Sequence, residues 1–226
     1  GDIVPKKQET ESNGTVLALY VIGSNLEFDP KDPTQGGSAS EDIKEIVTGY
    51  GEGTEGLDVI IGFGGSLKPG WQGMTIVTPE MIRDDIEDGD LSGNSSFLHR
   101  DENANMADQN TLTQFLNFVS ENTPGKRILL VFWDHGGAWD GFGMDDNHID
   151  PNTGFGYTLS LDELKNSLSD AGMNYDLIGF DACLMATLEV ASTVAPFGKI
   201  LVASEDNEPG FGWAWETLLK QLAEDT

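Results

Sequence analysis

Two reactive residues, one histidine and the chain's single cysteine, stand in similar sequence contexts. His135 belongs to the sequence DHGG, which directly follows the apolar run Arg127–Trp133, whereas Cys183 belongs to the sequence DAC, which directly follows the apolar run at residues 175–180. A thiol can attack a carbonyl carbon once it loses its proton, and a neighbouring imidazole can take that proton and return it to a leaving amine. The pair therefore predicts hydrolysis through a thioester intermediate, provided that the two runs are adjacent strands.

The residues beside this pair can supply the rest of a catalytic site. The N–H groups of Gly136 and Cys183 can form an oxyanion hole, which stabilises the negative charge of the tetrahedral intermediate. We expect Cys183 to stand at the start of a helix over residues 184–194, where the helix N-terminus stabilises the thiolate. Taken singly, Cys183 also fits a buried structural thiol and His135 a hydrogen-bonded loop residue, so only their joint position favours catalysis.

Acidic residues near the cysteine predict a pocket for a positively charged side chain. Asp181 lies two residues before Cys183, and residues i and i+2 of an extended chain face the same way. Its carboxylate can therefore line a pocket beside the nucleophile and pair with Arg or Lys. Glu205, Asp206 and Glu208 follow another predicted strand, and we favour Asp206 as the second acidic residue of this pocket. The alternatives are a helix N-cap for Asp181 and a solvated acidic loop for Asp206.

The segment at residues 136–158 is rich in Gly and Asp and predicts a long loop with a possible calcium site. Carboxylates at the spacing of Asp145, Asp146 and Asp150 can hold Ca²⁺ through oxygen ligands, although the segment does not match the EF-hand pattern. An acidic surface loop is the alternative. The cysteine chemistry itself requires no cofactor.

The elements around these residues predict an α/β fold. Strand-length apolar runs occur at residues 15–22, 57–62, 127–133, 175–180 and 199–203, with a shorter one at 74–77. Helical patterns lie between them, including a capping box at Ser160 and Glu163. The alternation predicts a three-layer α/β/α sandwich with a mainly parallel sheet, whose ligands bind beyond the carboxyl ends of the strands. A second long loop is predicted over residues 84–106.

Charge and composition exclude several classes of function. The 226 residues include 12 Lys and Arg against 39 Asp and Glu, a net charge of −27, which opposes binding to nucleic acid or to an anionic membrane. No apolar run approaches the roughly 18 residues that cross a bilayer. Residues 1–14 are polar and predict a disordered leader without a secretory signal, ahead of one domain over residues 15–226.

Two sequence blocks resemble a known family. FWDHGG at residues 132–137 and FDACLMA at residues 180–186 are similar to blocks of the clostripain (C11) family of cysteine peptidases, in the caspase-like clan. The sequences LYVIGSNLE at 19–27, ASEDNEPG at 203–210 and GW at 212–213 are similar too, so the resemblance covers most of residues 15–223. It implies a caspase-like fold and an endopeptidase that cleaves protein or peptide substrates after Arg or Lys. It gives His135 and Cys183 the catalytic positions and Asp181 the position that selects the basic residue.

The resemblance also implies an extracellular or cell-surface location. Family chains are usually longer, so we expect a C-terminal part to be missing from the domain at residues 15–226. Many members are cut after a basic residue between the histidine and cysteine blocks. This chain has no Lys or Arg at residues 128–164, so we expect it to stay uncut there.

Two other functions stay open. A metal-dependent hydrolase would use Asp134, His135, Asp145, Asp146 and His148 as ligands. A catalytically inactive binding module would keep the fold without the chemistry. Thiol alkylation would stop a cysteine peptidase and chelation would stop a metal enzyme, whereas a binding module would turn over no substrate.

Overall fold

The computed structural model describes residues 14–32, 34, 36–51, 53–87, 91 and 96–224. Except for Gly14, the predicted leader lies outside these residues. The strands are β1 (Thr15–Ile22), β2 (Leu57–Gly64), β3 (Met74–Val77), β4 (His99–Asp101), β5 (Arg127–Trp133), β6 (Phe142–Ile149), β7 (Gly156–Leu159), β8 (Leu177–Asp181) and β9 (Leu201–Val202). The helices are α1 (Ser24–Glu27), α2 (Ser38–Gly49), α3 (Pro79–Glu87), α4 (Gln109–Asn122), α5 (Leu161–Ala171), α6 (Leu188–Val194) and α7 (Trp215–Glu224).

Within the described ranges, seven strands form one sheet in the order β4-β3-β2-β1-β5-β8-β9. The strands β2, β1, β5, β8 and β9 run parallel, and β3 runs antiparallel to both of its neighbours. The central strands are continuous apolar runs because helices cover both of their faces. The predicted α/β class with a mainly parallel sheet is confirmed.

Helices form a layer on each side of this sheet. One face packs against α4, α5 and α6 through a core that includes Tyr20, Phe115, Phe132 and Phe180. The other face packs against α2, α3 and α7 through residues that include Ile43, Ile61, Ile82, Val131 and Trp215. Successive side chains of each strand alternate between the two cores, as the period of an extended chain requires. The result is the predicted three-layer sandwich.

The ends of two helices test the capping predictions. In α5, Ser160 Oγ accepts the N–H of Glu163 and the Glu163 carboxylate accepts the N–H of Ser160, so the predicted capping box is confirmed. The helix predicted from residue 184 instead begins at Leu188, with Thr187 as its N-cap. That expectation was wrong because Leu184 adopts a φ of 62°, which ends the extended chain in turns rather than in a helix.

The two predicted long loops contain regular structure. β4 lies within residues 84–106 and extends the sheet beyond β3. Residues 136–158 contain β6, which pairs antiparallel with β7 to form a hairpin. The β6 sequence FGMDDNHI has little β propensity, and pairing with β7 overrides that preference. We call β6, β7 and the turn between them the acidic hairpin.

Candidate active site

The histidine and the cysteine follow two hydrogen-bonded parallel strands. β5 pairs with β8, and Trp133 is aligned with Asp181 at their carboxyl ends. His135 lies two residues beyond Trp133, and Cys183 lies two residues beyond Asp181. The sheet therefore brings the two residues to equivalent positions at one edge, as the sequence predicted.

The loops that carry them touch through their backbones. A methyl group added at Gly136 would lie 1.9 Å from the carbonyl oxygen of Cys183, so only glycine fits at this contact. An adjacent antiparallel β-bridge joins Gly136 to Phe142. In this bridge the N–H of Gly137 donates to the carbonyl of Gly141, and the N–H of Gly143 donates to the carbonyl of His135. The N–H of Gly136 takes no part in that bridge. Its role in an oxyanion hole stays a prediction, like that of Cys183.

Asn25 is a site residue that the sequence reasoning missed. Its Oδ1 lies 2.8 Å from His135 Nε2. With Oδ1 as the acceptor, Nε2 carries the ring proton and Nδ1 is left to act as a base. The surrounding protein lowers the pKa of His135 by desolvation, although part of the ring stays exposed, and this favours the neutral imidazole. The signal for Asn25 was available, because it follows the buried strand β1 at the same edge of the sheet.

The residues next to Asn25 and His135, Ser24 and Asp134, are also in contact. The buried carboxylate of Asp134 accepts the hydroxyl of Ser24 at 2.7 Å and the N–H of Met144 at 2.6 Å. Burial raises the pKa of Asp134 well above its ordinary value. Asp134 thus ties α1 and β6 to the end of β5, which holds Asn25 opposite the imidazole.

Cys183 lies in a turn and not at a helix N-terminus. Its Sγ accepts the N–H of Glu208 at 3.3 Å, while the next residue, Leu184, donates its N–H to the carbonyl of Asp206. The expected stabilisation of the thiolate by a helix dipole is therefore wrong. Because Thr187 caps α6, the alternative role of Asp181 as a helix N-cap is wrong too.

His135 and Cys183 line the same cavity of about 190 Å³. Its lining also includes Asp181 and Glu208, together with Leu26, Ser38, Trp133, Asp134, Ala182, Pro209, Gly210 and Gly212. A thiol, an imidazole and two carboxylates therefore line one cavity that is open to solvent.

Asp181 is buried beside the cysteine. One of its carboxylate oxygens accepts the backbone N–H of Trp213 at 3.1 Å and the indole N–H of Trp215 at 2.9 Å. Burial raises the pKa of Asp181 to about 7, and the nearby Glu208 carboxylate contributes to this rise. Asp206 differs, because its side chain is exposed and accepts the N–H of Asn207 at 2.7 Å. The acidic residue after β9 that lines the cavity is Glu208, and the predicted role of Asp206 lacks support from its position.

The carboxylate of Asp145 serves the fold. It is fully buried, and its two oxygens accept the backbone N–H groups of Met106 at 2.6 Å and Asn147 at 2.8 Å. The ring nitrogen Nδ1 of His148 lies 3.3 Å from the same carboxylate. These contacts occupy the oxygens that a cation would need.

The other two predicted metal ligands are Asp150 and Asp146. Asp150 accepts the N–H of Asn152 at 2.8 Å within the hairpin turn, and Asp146 is half-buried with a pKa raised to about 6, mainly by burial. Among the residues that the structure describes, no group of three His, Cys, Asp or Glu side chains is arranged to hold a metal ion. The positions of Asp145, Asp146 and Asp150 thus give no support to the predicted metal site.

Comparison with known sequences places the chain in a family. The sequence model of the clostripain family, peptidase C11, matches residues 32–226. The chain belongs to the clostripain family. It is 28% identical to clostripain of Hathewaya histolytica over 138 residues, which are 53% of this chain and 25% of that protein. The resemblance seen in the two sequence blocks is thereby confirmed.

Solved structures of the family share the fold. A secreted C11 cysteine protease from Bacteroides thetaiotaomicron, in complex with an irreversible peptide inhibitor, has a TM-score of 0.65 at 19% identity. The alignment covers 92% of this chain and 54% of that one. An inactive zymogen C11 protease from Parabacteroides distasonis has a TM-score of 0.60 at 20% identity, with 96% and 54% covered. The chain thus has the caspase-like α/β/α fold and spans about half of these two structures and a quarter of clostripain.

Among the described residues, no helix is long and apolar enough to cross a membrane.

Proposed function

We propose that this chain is a cysteine endopeptidase that cleaves protein or peptide substrates after Arg or Lys, with Cys183 and His135 as its catalytic dyad. The observation that carries the proposal is the shared cavity: Cys183, His135 and the buried Asp181 all line it. Family membership supports the reaction type, because C11 members are cysteine peptidases. The identity is low and the coverage of the relatives partial, so the specificity rests on the cavity.

The proposed reaction has two halves. His135 Nδ1 takes the proton of the Cys183 thiol, and the thiolate attacks the carbonyl carbon of the scissile peptide bond. The N–H groups of Gly136 and Cys183 stabilise the oxyanion, and His135 gives its proton to the departing amine as the thioester forms. Water then attacks the thioester while His135 takes a proton from it, which releases the new carboxyl terminus and restores the thiol. Asn25 acts as a positioning residue for the imidazole.

The residue before the scissile bond, P1, is proposed to place its cationic group in the S1 pocket, which we define as the part of the cavity lined by Asp181 and Glu208. Among the described residues, Asp181 accepts hydrogen bonds from neutral N–H groups, and the Lys ion pairs involve other acids, so its negative charge is left for a ligand. An arginine or lysine side chain supplies that charge, and a desolvated carboxylate binds it strongly.

Turnover of an Arg-containing fluorogenic peptide tests this function. Cys183→Ala should abolish turnover, and His135→Ala should do nearly the same because the members of a dyad act as a unit. His99→Ala is the matched control, since His99 is exposed on β4 at the far side of the sheet. Substantial turnover by purified Cys183→Ala protein would contradict the proposal.

An extracellular or cell-surface location is proposed on the same family basis. The relative from Bacteroides thetaiotaomicron is described as secreted. Detection of the native protein in the cell lysate alone, and not in the medium or on intact cells, would contradict this location.

A further inference from the structure

A second buried carboxylate lies next to the S1 pocket. Asp42, on α2, is almost fully buried, and its Oδ2 accepts the indole N–H of Trp133 at 2.6 Å. Trp133 lines the cavity and is aligned with Asp181 in the sheet. Neither the sequence blocks nor the spacing of acidic residues assigned Asp42 a role.

Gly212 shows how close this carboxylate comes to Asp181. A methyl group added at Gly212 would lie 2.7 Å from Asp42 Oδ2 and 3.0 and 3.2 Å from the two carboxylate oxygens of Asp181. Both carboxylates therefore face one point at the wall of the cavity, which Gly212 also lines. Gly212 has a φ of 56°, a conformation that other residues rarely adopt. Glycine lets the chain pass between the two acids.

The donors to this pair are uncharged. They are the indole of Trp133 for Asp42, and the amide of Trp213 and the indole of Trp215 for Asp181. In the described part of the chain, the ion pairs of Lys with carboxylates involve other acids: Glu27, Asp58, Asp176 and Glu216. Two buried carboxylates with neutral donors cannot both stay ionised at little cost.

The acidic residues around the pair raise the pKa values of both carboxyl groups further. Burial raises the pKa of Asp42 to about 7, and the charges of Asp181, Glu45 and Glu41 add to the rise while the Trp133 hydrogen bond opposes it. The pKa of Asp181 is raised to about 7 mainly by burial, and also by the charge of Glu208 and by a hydrogen bond between the carboxyl groups of Asp181 and Glu208. The empty pocket thus takes up a proton near neutral pH.

We infer that Asp42 and Asp181 form a proton-sharing carboxyl pair through which Asp42 sets the charge of the S1 pocket, and that a cationic P1 group releases the shared proton when it binds. The proton leaves to solvent, so the pair becomes more negative as the substrate's positive charge arrives. This inference rests on the proposed function, since it makes the S1 pocket the place where the cation binds. Asp42 acts through Asp181 and is a positioning residue.

The carboxyl pair makes the affinity for a cation increase with pH. Below about pH 7 the pair holds its proton and the cation must displace it, so affinity falls as the pH falls. If the two acids share a proton, Asp42→Asn removes one negative charge from the pair and should lower the pKa of Asp181. The variant should therefore bind a cation about tenfold more weakly at high pH, and its loss of affinity should begin about one pH unit lower.

Calorimetry of acetyl-arginine amide binding to Cys183→Ala protein tests the inference without turnover. Titrations at about pH 6 and about pH 8.5, in buffers of different ionisation enthalpy, give both the affinity and the protons released. The neutral analogue acetyl-citrulline amide is the ligand control. Glu121→Gln is the protein control, because Glu121 is an exposed acid on α4, in the helix layer on the opposite face of the sheet from α2. We expect proton release with the arginine ligand, less of it in Asp42→Asn, and little change in Glu121→Gln.

The outcomes separate this inference from the proposed function. Arginine binding with the same pH profile and proton release in Asp42→Asn would overturn the inference and leave the function standing. Absence of both arginine binding and Arg-peptide turnover would overturn both. If Asp42→Asn does not fold, carbon-13 NMR of aspartate carboxyls decides: two carboxyl signals with midpoints near pH 7 should move on binding arginine, and only one moving signal would overturn the pair.

Discussion

The S1 pocket and the acidic hairpin are both rich in carboxylates, yet they use them differently. Both oxygens of Asp145, in the hairpin, accept backbone N–H groups, and its side chain is sealed from solvent. Asp181, in the pocket, also accepts N–H groups, but it lines a cavity that contains a thiol and an imidazole. An acidic residue is therefore a candidate for binding where it faces an open space beside reactive groups, and a structural residue where the backbone saturates it.

Substitution of Asp181 should have the largest effect of the proposed changes, and that effect is on the preference for a basic P1 residue. Asp181→Asn should lower kcat/KM for an Arg substrate by an amount equivalent to about 2–5 kcal/mol, because the cation loses its buried partner. The rate of Cys183 alkylation by iodoacetamide should stay near that of the unaltered protein, since the small reagent does not use S1. An unchanged ratio of Arg to Ala substrate turnover in Asp181→Asn would contradict the assignment.

The corresponding change in the hairpin should affect stability rather than specificity. Asp145→Ala leaves the buried N–H of Met106 and the partly buried N–H of Asn147 without acceptors, and the buried one alone should cost about 1–3 kcal/mol of unfolding free energy. Urea unfolding measures this loss, and substrate turnover below the unfolding transition should keep its preference for Arg. A changed Arg preference with normal stability would show that the hairpin contributes to the S1 pocket.

Two glycine substitutions compare the catalytic loop with the acidic hairpin. Gly136→Ala should inactivate the protein, because its methyl group meets the Cys183 carbonyl and forces the two catalytic loops apart. Gly154→Ala, in the hairpin turn, meets open space and should cost only the strain of its φ of 74°, about 1–2 kcal/mol. Turnover and thermal unfolding of both variants check this. Full activity in Gly136→Ala would mean that the close contact is not needed for catalysis.

The smallest effects are expected from proteolysis and chelation. Because residues 128–164 contain no Lys or Arg, incubation should yield no fragments cut within residues 136–158, as read by intact mass spectrometry. A cut there that is absent in Cys183→Ala would show that P1 need not be basic.

A chelator should change turnover by less than about twofold, since thiol chemistry needs no metal and the carboxylates of Asp145 and Asp150 bond to the backbone. Added calcium should likewise have little effect, as measured with the same Arg substrate. Loss of activity on chelation that thiol alkylation does not reproduce would favour the metal-dependent hydrolase.

The sequence predicts best what depends on local pattern. Continuous apolar runs identify the parallel strands, and a parallel sheet brings the residues after β5 and β8 to one edge, so His135 and Cys183 could be paired in advance. The hairpin was missed because its Asp- and Gly-rich strands are polar, and long-range pairing outweighs propensity there. Asp42 was missed because its contact with Trp133 spans 91 residues of sequence, and no period or motif records such a contact. Asn25 could have been found from its place after β1, at the edge where His135 and Cys183 lie, although its contact with His135 spans 110 residues.

Covalent labelling of Cys183 by a peptidyl-arginine chloromethyl ketone tests the proposed dyad and the basic S1 pocket most directly. Intact and peptide mass spectrometry should find a single adduct on Cys183. The labelling should be faster than with the matching peptidyl-alanine compound, slowed by excess acetyl-arginine amide, and lost in Cys183→Ala. Equal labelling rates for the arginine and alanine compounds would contradict a basic S1 pocket. No adduct on Cys183 in the folded protein would contradict the dyad itself.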